Sequence, residues 1–266
     1  MLRIGWLLVC GSATLWGQCS NSSAVFPHLV DGGGWKSSIY LVNDSATAAA
    51  NYTLNFRGDT AQPVLLSFVD GRRDNQISGT IPGGGVAILE TPGRDADPLA
   101  AVSATISASG AISGFSVIRL RSAGQPDREV TIPLANAAAR GLIFPFDNTG
   151  SFQSSIALAA LCGPNTTIAL TAIATDETGA ALGQSELKMP RGGHAAFMTA
   201  GLLPGTKGKR GLMRVGVAGS QSSGVQLAGL GLRVTSTGAL TYFPPSAWTV
   251  PAAHPVARPV RSRTKK

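Results

Sequence analysis

Three histidines, His28, His194 and His254, are the side chains best suited to acid–base or zinc chemistry, because imidazole titrates near neutrality and is a common metal ligand. Their spacing offers no convergent set of His, Cys and carboxylate, so a zinc centre is not expected. His194 follows a Gly-Gly turn and is the one candidate general base. Ser185-Glu-Leu-Lys188 matches Ser-x-x-Lys, but that pair acts from a helix start, and this segment reads as a strand with the two side chains on opposite faces. No Gly-x-Ser-x-Gly elbow occurs. Gly205-Thr-Lys-Gly-Lys-Arg-Gly211 lacks the Gly-Lys-Ser/Thr order of a phosphate loop and reads as a polar hairpin. Arg57-Gly58-Asp59 spells a receptor-binding tripeptide, yet Gly-Asp at a strand end is ordinary turn chemistry. No catalytic residue and no cofactor is expected, and the chain reads as a non-enzyme.

Binding chemistry has more to work with. Trp35, with Tyr40 or Tyr52, could form a platform for the apolar faces of a sugar ring; the alternative is that Trp35 and its counterpart Phe152 each plug one end of a core. Asp95 and Asp97, with the Gly93 carbonyl, are weak candidates for Ca²⁺, and Asp31 and Asp147 are alternates; a loop Asp more often caps its own turn. Of the three cysteines, Cys10 lies in an apolar leader. Cys19 and Cys162 either form one disulfide or are two unrelated thiols.

The elements that must position these residues are short strands. Charged residues make up 14% of the chain, against 33 Gly and 16 Pro, which leaves few charges to clothe long helices. At 44% hydrophobic content the chain can still build true cores. Residues 1–17 have the order of a secretory signal: Arg3 in a basic start, an apolar run, and Gly17 before a plausible cut. That run is too short for a membrane span, so export to the periplasm, cell surface or medium is expected, with no transmembrane segment in the mature chain. The net charge of +8 is unevenly placed: six of the 22 basic residues are Arg3, Arg258, Arg261, Arg263, Lys265 and Lys266, leaving 16 against 14 acidic ones. A body so nearly neutral has no nucleic-acid surface, which needs clustered cations.

Alternating runs at 37–42, 52–56, 86–90 and 102–107 are separated by Gly-rich turns and predict half-buried strands. The pattern then repeats at a shift of roughly 110 residues. Phe26-Pro27, Asp31, Gly34, Trp35 and Ser37-Ser-Ile39 return as Phe144-Pro145, Asp147, Gly150, Phe152 and Ser154-Ser-Ile156. The predicted fold is all-β: two tandem antiparallel β-sandwich domains related by internal duplication, at 26–135 and 142–245, with a closed barrel as runner-up. The Pro-rich stretch 246–266 predicts a disordered basic tail. The first copy departs from the second at His28, Gly32-Gly33 and Trp35, which replace Phe146, Asn148-Thr149 and Phe152; His194 in turn stands where the first copy has Val86.

Asp31-Gly-Gly-Gly-Trp35, Phe144-Pro-Phe-Asp-Asn-Thr-Gly150, Ile81-Pro-Gly-Gly-Gly85 and Gly229-Leu-Gly-Leu-Arg233 together resemble tandem immunoglobulin-like β-sandwich modules of uncharacterised exported bacterial proteins. The resemblance spans about residues 26–245 and implies the Ig-like fold and export, but no catalytic residues. The expected function is a structural or adhesive module whose partner is unknown, such as a cell-envelope polymer or another surface protein; the alternative is a carbohydrate-binding module centred on Trp35, and a hydrolase comes third.

Overall fold

A computed structural model describes residues 24–122, 124–136, 139–162, 166–217 and 224–249. The N-terminal half contributes β1 (Ala24–Asp31), β2 (Trp35–Asn43), β3 (Ala50–Arg57), β4 (Leu66–Ser67), β5 (Arg73–Asp74), β6 (Gln76–Ile81), β7 (Val86–Glu90), β8 (Ala100–Ala108), β9 (Ile112–Leu120), β10 (Arg128–Pro133) and β11 (Ala135–Asn136). The C-terminal half contributes β12 (Gly141–Asp147), β13 (Gln153–Cys162), β14 (Thr167–Asp176), β15 (Ala181–Pro190), β16 (His194–Met198), β17 (Arg210–Val217), β18 (Gln226–Val234), β19 (Leu240–Phe243) and β20 (Ser246–Ala247), with one short helix, α1 (Thr199–Leu202).

Among the described residues all strand pairs are antiparallel and no sheet closes, which overturns the barrel alternative. The first half pairs its strands as β11-β1-β8-β3-β6 and β10-β9-β2-β7; the second pairs them as β20-β12-β17-β14-β15 and β19-β18-β13-β16. Strand for strand, the two orders are the same. Within each half the sheets face each other across a core. Phe26, Leu29, Ile39, Leu41, Leu54, Phe56 and Ile81 fill the first, and Phe144, Phe146, Ile156, Leu158, Leu170, Met213 and Val215 fill the second. The alternation along β3 and β14 follows directly from this, since every second side chain enters the core.

β1, β13 and β18 depart from simple alternation, and they join the halves. In β13, Ile156, Leu158 and Ala160 enter the second core while Ala157 and Ala159 point the other way and are equally buried. In β1, Phe26 and Leu29 enter the first core while Val25 and Val30 face β13 and β18. Two clusters result: Val25 with Ala159 and Ala228, and Val30, Ile118, Val130 and Ile132 with Ala157, Leu230 and Leu232. The small Ala side chains at 157, 159 and 228 let the sheets approach closely. Strands buried on both faces read as unbroken apolar runs, as in Ile-Ala-Leu-Ala-Ala-Leu at 156–161.

Two expectations need correction. Ser246–Ala247 is not part of a disordered tail; it pairs with Leu142 and Ile143 as β20 and covers the edge of the β12 sheet. The stretch from Gly205 is not a hairpin: Pro204–Thr206 is a single 3-10 turn continuing from α1, with Thr206 buried and its carbonyl and hydroxyl both receiving the Asn148 side-chain amide. Residues 1–17, Cys19, His254 and 250–266 lie outside the described residues.

Gly229 exists for Phe144. A Cβ there would sit 2.8 Å from the Phe144 ring and 2.9 Å from the Ala157 carbonyl oxygen. Gly229→Ala should therefore overpack the second core and lower stability by about 1–3 kcal/mol, read as a lower denaturant midpoint.

Candidate functional site

A set of chemistry-bearing side chains converges in the seam between the halves. Three local devices bring them there. First, β1 carries one residue more than β8 between Phe26 and Leu29, since Phe26 faces Ala104 while Leu29 faces Val102. This bulge keeps both Phe26 and Leu29 in the core and turns His28 out of it. Second, β3 ends in a tight loop in which the Ala61 N–H donates to Gly58 and the Arg57 guanidinium donates to the Ala61 carbonyl at 2.8 Å. Third, the β15–β16 turn carries Gly192 at φ 79°, in the left-handed region, and Gly193, where a Cβ would lie 3.0 Å from the Asp59 carbonyl oxygen. The two glycines let the turn lie against the Arg57–Asp59 loop, and the His194 N–H donates to the Gly58 carbonyl at 3.3 Å.

The result is a chain of three groups. Asp59 Oδ1 lies 2.6 Å from His194 Nδ1, and His194 Nε2 lies 2.9 Å from His28 Nδ1. The two imidazoles also stack, with centroids 5.1 Å apart. His194 is 1% exposed, whereas the Asp59 side chain is 73% exposed. Burial pushes the His28 imidazole down to about 3, reinforced by His194. Burial likewise lowers His194, partly offset by the hydrogen bond and charge of Asp59. Both rings are neutral at neutral pH. The hydrogen bonds then fix the tautomers: a carboxylate only accepts, so His194 Nδ1 carries the proton, its Nε2 accepts, and His28 Nδ1 donates. His28 Nε2 is left without a proton.

The sequence-derived candidates are scattered. Tyr52 is buried in the first core, its ring lying across Gly79 on the paired strand. Trp35 is half-buried against the seam cluster of Ile118, Val130 and Ile132. Tyr40 is on the opposite face of β2 from Trp35, stacked on Phe115 at 4.7 Å between centroids. No platform joins Trp35, Tyr40 and Tyr52. Phe152 sits under the Arg233 guanidinium at 4.3 Å.

Asp31 accepts the Gly93 N–H at 2.9 Å, and Asp147 accepts from the Thr149 N–H and hydroxyl and pairs with Arg233. Asp95 lines an open cleft of about 610 Å³ with Arg94, Arg121 and Asp127, in which two cations match the two carboxylates. Among the described residues no group of three or more His, Cys, Asp or Glu is arranged to hold a metal. Ser185 and Lys188 lie on β15, on opposite faces. Cys162 ends β13; Cys19, which either pairs with it or is an unrelated thiol, is outside the described residues.

A second feature is an exposed row. Ile88, Tyr40, Phe115 and Pro133 face one another in register across β7, β2, β9 and β10, on the side of the sheet away from the core. Val86 lies beside the row, paired with Val42. Ile88 is 53% exposed and Val86 51%.

No family model, curated protein or solved structure matches the chain. Sequence reasoning missed the Asp59–His194–His28 chain, although His28 and His194 are both positions at which the two expected copies differ. The exposed row was readable as the outward phase of β2, β7 and β9.

Asp59→Asn removes the charge that holds His194 up. Its imidazole should then titrate at still lower pH, which an NMR titration of the ring carbons would follow; an unchanged midpoint would place Asp59 outside the chain.

Proposed function

We propose that the chain is an exported, non-catalytic structural or adhesive protein made of two Ig-like β-sandwich modules related by duplication, and that it engages a partner protein through the outer face of the β10-β9-β2-β7 sheet. The observation that carries this reading is the Ile88–Tyr40–Phe115–Pro133 row with Val86 beside it. Solvent-facing apolar residues scattered singly need no explanation, whereas a contiguous strip marks a contact surface. Duplication is supported by the matching strand orders and by the shared register, in which Val42 faces Val86 in one half and Ala159 faces His194 in the other.

The ring geometry favours a protein partner over a sugar. Tyr40 and Phe115 lie nearly parallel, 15° apart, so each covers a face of the other, and Ile88 and Pro133 stand opposite in the same row. Sugar rings bind to open aromatic faces; this row is suited to interdigitating with aliphatic and aromatic side chains, as the centre of a protein interface does.

Ile88→Lys and Phe115→Ser place polar groups in the strip and leave the core untouched. Each should cut capture of the partner from a cell-envelope extract at least tenfold while shifting the melting temperature by no more than a few degrees. Undiminished capture by both variants would sink this surface, and a glycan-array signal abolished by Tyr40→Ala would favour the carbohydrate reading. Fractionation with N-terminal sequencing of the mature protein checks export.

A further inference from the structure

We propose that the Asp59–His194–His28 chain is an acid-sensitive latch that holds the two halves together at neutral pH and loosens their seam as the pH falls. The argument begins with placement. His28 belongs to the first half and His194 to the second, and Asp59 reaches back from the first half to close the chain. The bonds therefore cross the seam twice. Beside them the halves meet through Val25, Ala159 and Ala228, small apolar groups with no charge to spare.

The tautomers give the latch its sensitivity. A first proton can be accommodated: if it enters at His28 Nε2, the shared proton shifts to His194, and Asp59 then faces an imidazolium. Both bonds survive. A second proton puts an N–H on each of the two facing nitrogens, 2.9 Å apart, and sets two cations in a stacked pair. No acceptor remains between the rings. The surroundings offer little to offset that charge. Among the described residues Asp59 is the one carboxylate hydrogen-bonded to either ring. The Arg57 side chain, which passes 3.6 Å from where a Gly192 Cβ would lie, brings no negative charge to the turn. β8 and β16 carry no ionisable residue besides His194, β13 none besides Cys162 at its end, and Arg233 of β18 pairs with Asp147. Asp31, on β1 itself, is turned to the Gly93 N–H.

The sign follows from linkage. Both imidazoles bind protons less readily in the closed seam than the ordinary value near 6.5, with His28 down at about 3. An opened seam restores the ordinary value. The closed form's advantage is complete above that value and is lost as pH falls from about 6.5 toward 3. Each extra proton bound by the open form favours opening tenfold per pH unit, so the pair can contribute up to about 100-fold per unit.

The test uses the full chain. With three histidines, and His254 assigned by His254→Gln, NMR titration resolves each ring. His28 and His194 should titrate clearly below His254; midpoints near 6.5 for both would overturn the latch. Hydrogen exchange, corrected for intrinsic rates, should show β1 and β13 losing protection between pH 7.5 and 5.0 before β3 and β14 do. Loss in all four strands together would mean that the chain stabilises the fold without gating the seam. His28→Asn keeps an N–H near the Nδ1 position but cannot titrate. It should retain at least half of the seam protection that the wild type loses at pH 5.0, and an unchanged loss would refute the proposal. If His28→Asn does not fold, the wild-type titration and exchange decide.

Discussion

Everything in this structure depends on the close approach of β1 to β13 and β18. A sheet has two faces, and in a lone pair of sheets one face of each stays in water. Here β1 and β13 are covered on both sides, which merges two separate cores into one layered body. The approach works because the contacting positions on the second half are small: Ala157, Ala159 and Ala228 leave room for Val25 and Val30. The first half also relies on this contact, because Ile118, Val130 and Ile132 on its second sheet are covered by Leu230 and Leu232 of the other half.

The apolar side chains of the seam set the electrostatics of the Asp59–His194–His28 cluster. Charged imidazole is poorly solvated among alanines and valines, so the two histidines stay neutral and must satisfy each other. The partly exposed Asp59 at the mouth supplies the final acceptor without itself being buried. The cluster is thus a product of the packing as much as a contributor to it.

Much of the fold was legible. Alternation in β3 and β14, Gly-rich turns and the displaced echo of Phe-Pro, Asp, Gly and Ser-Ser-Ile all point to strands in two similar sets. The site was less so, for physical reasons. Trp35, Tyr40 and Tyr52 have the right chemistry for a platform, but the two-residue period puts Tyr40 on the face opposite Trp35, and pairing with Gly79 draws Tyr52 into the core. Likewise, Asp59 and His194 are 135 residues apart, and only the packing of one half on the other makes them neighbours. The unbroken apolar runs of β13 and β18 reflect a covered second face, and what covers it lies in no local pattern.

The extra residue in β1 has a consequence beyond the seam. Phe26-Pro27 and Phe144-Pro145 begin alike, yet β12 pairs with β17 without a slip, so Phe146 stays in the core. In β1 the slip ejects His28 at the corresponding place and still returns Leu29 to the interior. One added backbone step thus decouples a single position from the hydrophobic rhythm of its strand. β1 thereby carries a titratable group where β12, at the same place in its sheet, carries Phe146 in the core, and the pairing on either side is unchanged.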